Sequence, residues 1–388
     1  MCALLQASLF MDADIQLHDW QPIFQEMKKQ TVAALPGEWL KKHPVSHPWT
    51  SYCSLQQGQW IRVMYSQNQI IELLENNNIP FVIIKGAASA MYYPHPSLRS
   101  MGDVDILVKR GDFNRAAELL EKSGYLLIKE REYTSHHYNY CKDNIIFELH
   151  RRLAIIDDTN ETLLTLFEKG VENRVWSETE GFRFPVLPPL LNGLVLIFHI
   201  DQHLRQGLGL RQIVDWMMYV HHLTPDEWNQ LLLILEDVGL KRLALTVTIL
   251  CQQYLGLRMT VRNDDSYPYD DLLLFILEKG NFGQKAGLEG KTAAFSLLSN
   301  KRGGFYHRLQ KGGLKQWKLS KKHPVLQPFA WIYQSFRILR IFINNHTSLK
   351  QIIKQREKGL EQIKLIEALG LSLDRTIKSV ECQRKSCD

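Results

Sequence analysis

Cysteine is scarce in this sequence, and none of it is arranged in the C-x-x-C pairs typical of redox or metal sites. The 388 residues contain six cysteines at scattered positions: Cys2, Cys53, Cys141, Cys251, Cys382 and Cys387. Scattered cysteines favour reduced thiols over a disulfide framework or a zinc site. We therefore expect a cytoplasmic protein.

Long apolar runs are also missing. No uninterrupted run approaches the ~18 residues that a membrane-spanning helix needs. The first eleven residues are apolar, but they lack the basic start and the small-residue cleavage site of a signal peptide. The sequence contains no internal repeat and no low-complexity tract. We expect neither a transmembrane segment nor a cleaved leader.

Charge is unevenly distributed along the chain. Residues 301–388 hold 19 Lys and Arg against 6 Asp and Glu, a net +13, whereas the other 300 residues hold 28 against 35, a net −7. Such asymmetry can indicate a polyanionic partner or a membrane surface. A solvated helical surface explains the same pattern equally well.

One stretch, Ile84 to Val108, concentrates the chemistry. It contains a short apolar run, a Lys-Gly turn before a predicted helix, and a second apolar run that carries Asp103 and Asp105. Side chains alternate along a strand, so these two carboxylates share a face. Paired carboxylates need a cation, and an oxygen-only pair suits Mg²⁺. Because a glycine turn before a helix can bind an anion, the stretch predicts nucleotide chemistry.

A third acid lies on a second predicted strand, Ile145–His150. Asp143-Asn144 before it indicates a tight hairpin. Alternation places Glu148 and His150 on one face. Glu148 is either a third acid of the site or an ordinary exposed strand glutamate, and we favour the first. His150 either lines an acceptor pocket or caps the end of the strand.

Helical patterns dominate after residue 155. His199 and His203 are four residues apart and share a helix face. The H-E-x-x-H zinc motif is not met, because position 200 is Ile, so core or pocket-lining histidines are favoured. Arg211 and Asp215 have the spacing of a helix ion pair. We predict that this part forms a wall of an acceptor cleft lined by His199, His203 and Arg211.

These features together resemble a known superfamily. The order of strand, glycine turn, helix and hydrophobic-Asp-hydrophobic-Asp resembles the nucleotidyltransferases that include DNA polymerase beta, kanamycin nucleotidyltransferase and small antitoxin transferases. The motif K-G-A-A…Y-P-H-P-S-L-R-S-M-G-D-V-D-I-L-V is similar to that of a bacterial group of uncharacterised nucleotidyltransferases. Further marks are F-E-L-H at 147–150, H-I-D-Q-H…L-R-Q-I-V-D-W at 199–216 and G-N-F-G at 280–283.

The resemblance implies a reaction and its metal site. A nucleoside monophosphate would pass from an NTP to an acceptor hydroxyl, with release of pyrophosphate. Asp103 and Asp105 would hold two Mg²⁺ ions, with Mn²⁺ as the alternative. Glu148 would complete the metal site and act as base toward the hydroxyl.

The predicted nucleotide contacts depart from the superfamily at one position. Lys85, Gly86 and Arg99 are the natural phosphate contacts, although Arg99 could instead pair with a nearby carboxylate. The superfamily has Gly-Ser or Gly-Gly at the turn, whereas this chain has Gly86-Ala87, and Ser89 is the candidate to replace that serine hydroxyl. This departure weakens the case for nucleotide affinity more than the case for the metal site.

We expect an α+β fold in which a small mixed β-sheet nucleotidyltransferase core is embedded in a largely α-helical chain. The predicted parts are an N-terminal helical segment (1–79), the core (80–155), a helical acceptor-side domain (156–285) and a basic helical C-terminal region (286–388).

Two rival functions come from other classes. A catalytically silent module of the same fold could dock a polyanion or a protein through its basic C-terminal region. A metal-dependent hydrolase could use His199, His203, His221 and His222. A small-molecule or protein acceptor is favoured over nucleic acid, because the basic region lacks a recognisable RNA-binding arrangement of aromatics. Membrane-surface contact by the aromatic helix predicted at 324–344 is the less favoured interpretation.

Overall fold

The computed structural model describes residues 1–10, 15, 19–43, 47–128, 136–205, 207–259, 261, 266–280, 327–344 and 349–372. The chain forms two compact units. The first comprises Met1–Lys285 and Ala368–Asp388, and the second comprises Ala286–Glu367.

The first unit is built on a seven-stranded mixed sheet. Its strands, in chain order, are β1 (Phe81–Ile84), β2 (Asp103–Val108), β3 (Leu126–Leu127), β4 (His137–Lys142), β5 (Ile145–His150), β6 (Val175–Thr179) and β7 (Phe182–Val186). Their order across the sheet is β3-β4-β5-β2-β1-β7-β6. The predicted α+β class, a mixed sheet within a largely helical chain, is confirmed.

Strand β2 lies in the middle of this sheet. It runs antiparallel to β1 and parallel to β5. Val104, Ile106 and Val108 belong to the main hydrophobic cluster on one face, as the predicted alternation requires. Asp103 and Asp105 therefore lie on the other face, where polar groups can gather.

Within the described residues, four helices precede the sheet: α1 (Cys2–Phe10), α2 (Trp20–Lys29), α3 (Gly37–Lys42) and α4 (His47–Asn76). The apolar pattern predicts only residues 57–75 of α4, and it predicts a proline-punctuated loop across 36–48. The structure instead begins α4 at His47, with Pro48 in its first turn. Proline is tolerated there because the first N–H groups of a helix have no intrahelical partner.

A hairpin interrupts the segment that the sequence predicts to be helical. After α7 (Glu161–Glu172), β6 and β7 pair antiparallel, and the turn residues Glu180 and Gly181 both have positive φ, 46° and 82°. This conformation is that of a two-residue hairpin turn. Strand β7 then pairs parallel with β1 at Ile83 and Val186. The sheet thus extends beyond the predicted core of residues 80–155.

The other helices of this unit connect or follow the strands. Between β1 and β4 lie α5 (Gly86–Ala90) and α6 (Phe113–Lys122). After β7 follow α8 (Pro189–His203), α9 (Leu210–His221), α10 (Pro225–Asp237), α11 (Lys241–Tyr254) and α12 (Tyr269–Lys279). Helix α10 begins with a capping box between Thr224 and Glu227.

Two further helices are described near the C-terminus, α13 (Gln327–Asn344) and α14 (Leu349–Ala368). Among the residues with a described structure, no helix combines the length and hydropathy that crossing a membrane requires. Most of the G-N-F-G motif at 280–283 and much of the basic C-terminal region lie outside the described residues.

Candidate active site

The site is built on the polar face of β2 and β5. The two strands are parallel and in register, with Asp105 opposite Glu148 and Leu107 opposite His150. Residues that are opposite each other in a sheet point to the same face. The Asp105 side chain is buried, whereas the Glu148 side chain is 23% exposed. Two carboxylates are therefore adjacent at the centre of the sheet.

Two basic side chains contact the buried Asp105. Lys85 Nζ lies 2.6 Å from Asp105 Oδ1, and His150 Nε2 lies 2.9 Å from the same oxygen. Burial alone would raise the pKa of Asp105, but Lys85 and the hydrogen bond from His150 outweigh it and lower the pKa. Asp105 is therefore ionised at neutral pH.

Lys85 reaches this position from a strained turn. It follows β1 and precedes α5 with φ 54° and ψ −134°, a conformation that L-residues rarely adopt, and Gly86 has φ 25°. Burial lowers the pKa of Lys85, but attraction to Asp105 and Glu148 more than compensates and raises it above its ordinary value. The turn thus directs a charged ammonium group at the carboxylate pair.

Glu148 is held by two imidazoles. His150 Nε2 lies 3.3 Å from Glu148 Oε2, and His137 Nε2 lies 3.9 Å from Glu148 Oε1. Burial would raise the pKa of Glu148, but the hydrogen bond from His150 and the charge of Lys85 lower it well below its ordinary range. The pKa of His150 is raised in turn, because its bonds to Asp105 and Glu148 outweigh burial. The Glu148 carboxylate is therefore ionised at neutral pH.

Asp103 behaves differently from the other two acids. It is the exposed first residue of β2. Although Asp103 is exposed, the surrounding protein still displaces part of its water. This desolvation, together with repulsion from Asp105 and Glu148, raises the pKa of Asp103 to about 6. Asp105, Glu148 and His150 each offer one ligand atom within 4.8 Å of the others, and Asp103 is not in that group. Of the three predicted acids, two are brought directly together.

Three histidines gather beside Glu148, and only His150 is among the predicted site residues. His136, His137 and His150 form a second group whose ligand atoms lie within 4.8 Å of one another. Burial lowers the pKa of His137 to about 4 and that of His136 well below its ordinary value. A signal existed: counting outward from the Asp143-Asn144 turn pairs His137 with His150, as the structure does.

The predicted acceptor-side residues lie on α8 and α9, and two of them, His199 and Arg211, interact electrostatically with the acids of the site. His199 Nε2 and His203 Nε2 are 2.8 Å apart, so one ring donates to the other. Burial lowers the pKa of both, that of His203 to about 3. His199 interacts electrostatically with Lys85 and Asp105, and Arg211 interacts with Asp103. The two imidazoles are neutral, and Arg211 is the charged group of this wall.

Arg99, predicted to contact phosphate or to pair with a carboxylate, takes the second role. Its Nε lies 2.8 Å from Asp215 Oδ1 and its Nη2 lies 2.7 Å from Asp215 Oδ2, with both side chains buried. Tyr93 also donates to Asp215, at 2.7 Å. Asp215 therefore pairs with Arg99 and not, as the helix spacing predicts, with Arg211. Arg211 donates to the Ser100 carbonyl instead.

Ser89 is fully buried in α5, and its Oγ has no hydrogen-bond partner among the described residues. Its hydroxyl is shielded from solvent, so contact with a nucleotide phosphate would require its surroundings to move. The predicted role of Ser89 stays a prediction.

The chain is similar to a known protein family and to a solved structure. Residues 16–256 match the family described as uncharacterised nucleotidyltransferase. The crystal structure of an antigenic nucleotidyltransferase-like protein from Paracoccidioides brasiliensis is similar over 51% of this chain and 94% of that chain, with 14% sequence identity and a TM-score of 0.31. No curated protein matches the chain.

Proposed function

We propose, from the premise that this chain belongs to the uncharacterised nucleotidyltransferase family, that it transfers a nucleoside monophosphate from an NTP to an acceptor hydroxyl and releases pyrophosphate. The match covers every residue of the site described above. The observation that carries the proposal is the in-register pair of Asp105 and Glu148 beside the ammonium of Lys85.

The donor atoms suit a hard divalent ion. Asp105 and Glu148 are ionised and present carboxylate oxygens, which Mg²⁺ prefers and Mn²⁺ accepts. We assign them as the metal ligands, with Asp103 at the exposed edge as the third. A bound divalent ion would neutralise charge on the phosphates and lower the pKa of the acceptor hydroxyl.

Lys85 and Gly86 would bind the phosphates. The ammonium of Lys85 points at the carboxylates where the triphosphate would lie, and a phosphate oxygen can share it with Asp105. Gly86 supplies a turn with positive φ and no side chain, which lets the backbone approach a ligand closely. Arg99 forms a buried ion pair with Asp215, so we do not assign it to the nucleotide.

Glu148 fits a ligand role better than the role of base. Its pKa is held well below the ordinary range by His150 and Lys85, and a group with so low a pKa accepts protons poorly. Positioning and charge neutralisation dominate phosphoryl-type transfer, so a strong protein base is not required.

The wall formed by His199, His203 and Arg211 would contact the acceptor. Neutral imidazoles can donate to and accept from a hydroxyl, and Arg211 adds a single positive charge. A small-molecule or protein hydroxyl fits such a wall better than a polyanionic nucleic acid strand, which needs many cations along its path.

The test is thermal unfolding with each of the four NTPs, with and without Mg²⁺. A ligand that binds only the folded state stabilises it, by about 2.7 kcal/mol at a hundredfold excess over its Kd. We expect a Mg²⁺-dependent rise in Tm for at least one NTP in the wild-type protein. Asp105→Asn should abolish the rise.

Asp143→Asn is the matched control. Asp143 is exposed in the β4–β5 turn with φ 52°, a conformation that asparagine tolerates, and it should keep the full rise. An unchanged Tm in the wild-type protein with all NTPs and Mg²⁺ would contradict the proposal and favour the silent docking module. A rise retained by Asp105→Asn would place the nucleotide elsewhere.

A further inference from the structure

The fold brings three histidines together beside Glu148, and the proposed transfer assigns no role to two of them, His136 and His137. His137 begins β4 and is paired in register with His150 on β5, and His136 directly precedes β4. The ring centroid of His137 lies 4.2 Å from that of His136 and 5.1 Å from that of His150. All three rings offer a ligand nitrogen within 4.8 Å of the others.

His150 adds an independent observation. Its side chain is 5% exposed, and its Nδ1 has no hydrogen-bond partner within the described part of the chain. Its other nitrogen, Nε2, bonds Asp105 and Glu148. A histidine that bonds a carboxylate through one nitrogen and leaves the other available is the usual arrangement of a metal-ligating imidazole. A buried polar nitrogen without a protein partner is a position where a metal ion can bind.

We propose that His136, His137 and His150 bind a first-row transition-metal ion of the Zn²⁺ or Co²⁺ type. Imidazole nitrogens select such ions, whereas the neighbouring carboxylate oxygens select Mg²⁺. Three protein ligands with one open position are typical of zinc sites that also admit water or substrate. The inference does not depend on the proposed transfer, because its readout is metal binding.

The geometry requires only side-chain adjustment. Zn–N bonds of about 2.0–2.1 Å in a tetrahedral site place ligand nitrogens roughly 3.3 Å apart. The ligand nitrogens lie within 4.8 Å of one another, so closing on the ion needs movements of up to about 1.5 Å, which side-chain rotation supplies. Binding would fix the tautomer of His150 and thereby orient Asp105 and Glu148.

The test uses the full-length protein, stripped with a chelator and loaded with Co²⁺ or Zn²⁺ without nucleotide. We expect one tightly held equivalent by elemental analysis, and a visible Co²⁺ absorption band. His137→Gln should weaken binding by roughly 100-fold or more, because it removes a direct ligand. His221→Gln, which removes an exposed imidazole at the end of α9, should bind like the wild-type protein.

The double variant His199→Gln/His203→Gln tests the other histidine pair and should also bind normally. Failure of the wild-type protein to hold either ion overturns the proposal. So does loss of the ion in the double variant together with full retention in His137→Gln.

A readout without substitution keeps the proposal testable if His137→Gln does not fold. Zn²⁺ should protect His137 of the wild-type protein from diethyl pyrocarbonate, as read by peptide mass spectrometry, while His221 stays reactive. Equal modification of His137 with and without Zn²⁺ overturns the proposal.

Discussion

Replacing Arg99 by methionine should destabilise the fold strongly and leave the nucleotide site largely intact. Arg99 and Asp215 form a bidentate pair in which the side chains are 5% and 2% exposed. The pair joins the segment between α5 and β2 to helix α9. Methionine has a similar apolar stem, so the substitution removes the charge and the hydrogen bonds with little change of volume.

The expected magnitude follows from what is left behind. Asp215 would stay buried with Tyr93 as its remaining donor, and an uncompensated buried charge destabilises by about 3–5 kcal/mol. For a unit of more than 250 residues each kcal/mol shifts Tm by about 1.5–2 °C, so the drop should be roughly 5–10 °C. Urea unfolding measures the free energy directly, since a lower midpoint at constant slope reports lost stability.

A double substitution distinguishes the effect of losing the ion pair from the effect of leaving Asp215 buried and unpaired on the free energy of unfolding. Arg99→Met/Asp215→Leu removes both charges and should recover most of the loss, because apolar replacement of a buried pair is often neutral. Arg110→Met is the control for an exposed arginine. Arg110 pairs with Glu161 and Glu168 at the surface, and its loss should change stability by no more than about 1 kcal/mol.

The opposite pattern refutes this reasoning. If Arg99→Met changes the free energy of unfolding by less than about 1 kcal/mol but weakens NTP binding tenfold or more, Arg99 contacts the phosphate. The pair with Asp215 would then be a resting arrangement that the nucleotide breaks.

Two further predictions concern the charged groups of the site. Asp103→Asn should raise Tm at pH 8 without metal, and this gain in Tm should shrink as pH falls below about 6. The reason is that the folded-state pKa of about 6 exceeds the ordinary value of 3.8, so ionisation of Asp103 opposes folding. A gain that is equal at pH 5 and pH 8 would contradict this. Lys85→Gly should be more stable than Lys85→Ala by about 1 kcal/mol in urea unfolding, because glycine relieves the strain at φ 54°. Equal stability of the two variants would show that the turn is unstrained.

Local patterns predicted the centre of the sheet well. The alternation of Asp103–Val108 and the turn at Asp143-Asn144 each depend on a few neighbouring residues, and the structure has both. Glu148 could be placed on the correct face for the same reason. Its pairing with Asp105 is a contact between distant segments, which alternation within one strand does not specify.

Segments whose local signals conflict were predicted poorly. The β6–β7 hairpin contains Pro185 and several charges, which weaken a strand pattern, although Glu180-Gly181 marks its turn. Pro48 likewise suggested a loop where α4 begins. In both places proline restricts the local backbone, but packing against distant parts of the chain determines whether a strand or a helix forms.

Choices between competing partners also lay beyond the sequence. The spacing of Arg211 and Asp215 suits a helix pair, but Asp215 bonds Arg99 from a distant segment. The chain carries more than one cation able to reach this carboxylate, and only the packed fold decides between them. His136 and His137 become notable for the same reason, since their neighbour His150 lies across a hairpin.

The parallel pairing of β1 with β7 constrains the order in which the chain can fold. Ile83 and Val186 are about a hundred residues apart, and such distant pairings form slowly because a long loop must close first. Until the ribosome has released residue 186, one edge of the fully buried F-V-I-I strand has no partner. An uncovered apolar edge invites pairing with other chains. The nascent protein therefore exposes an apolar strand edge that can pair with other chains until β7 has emerged.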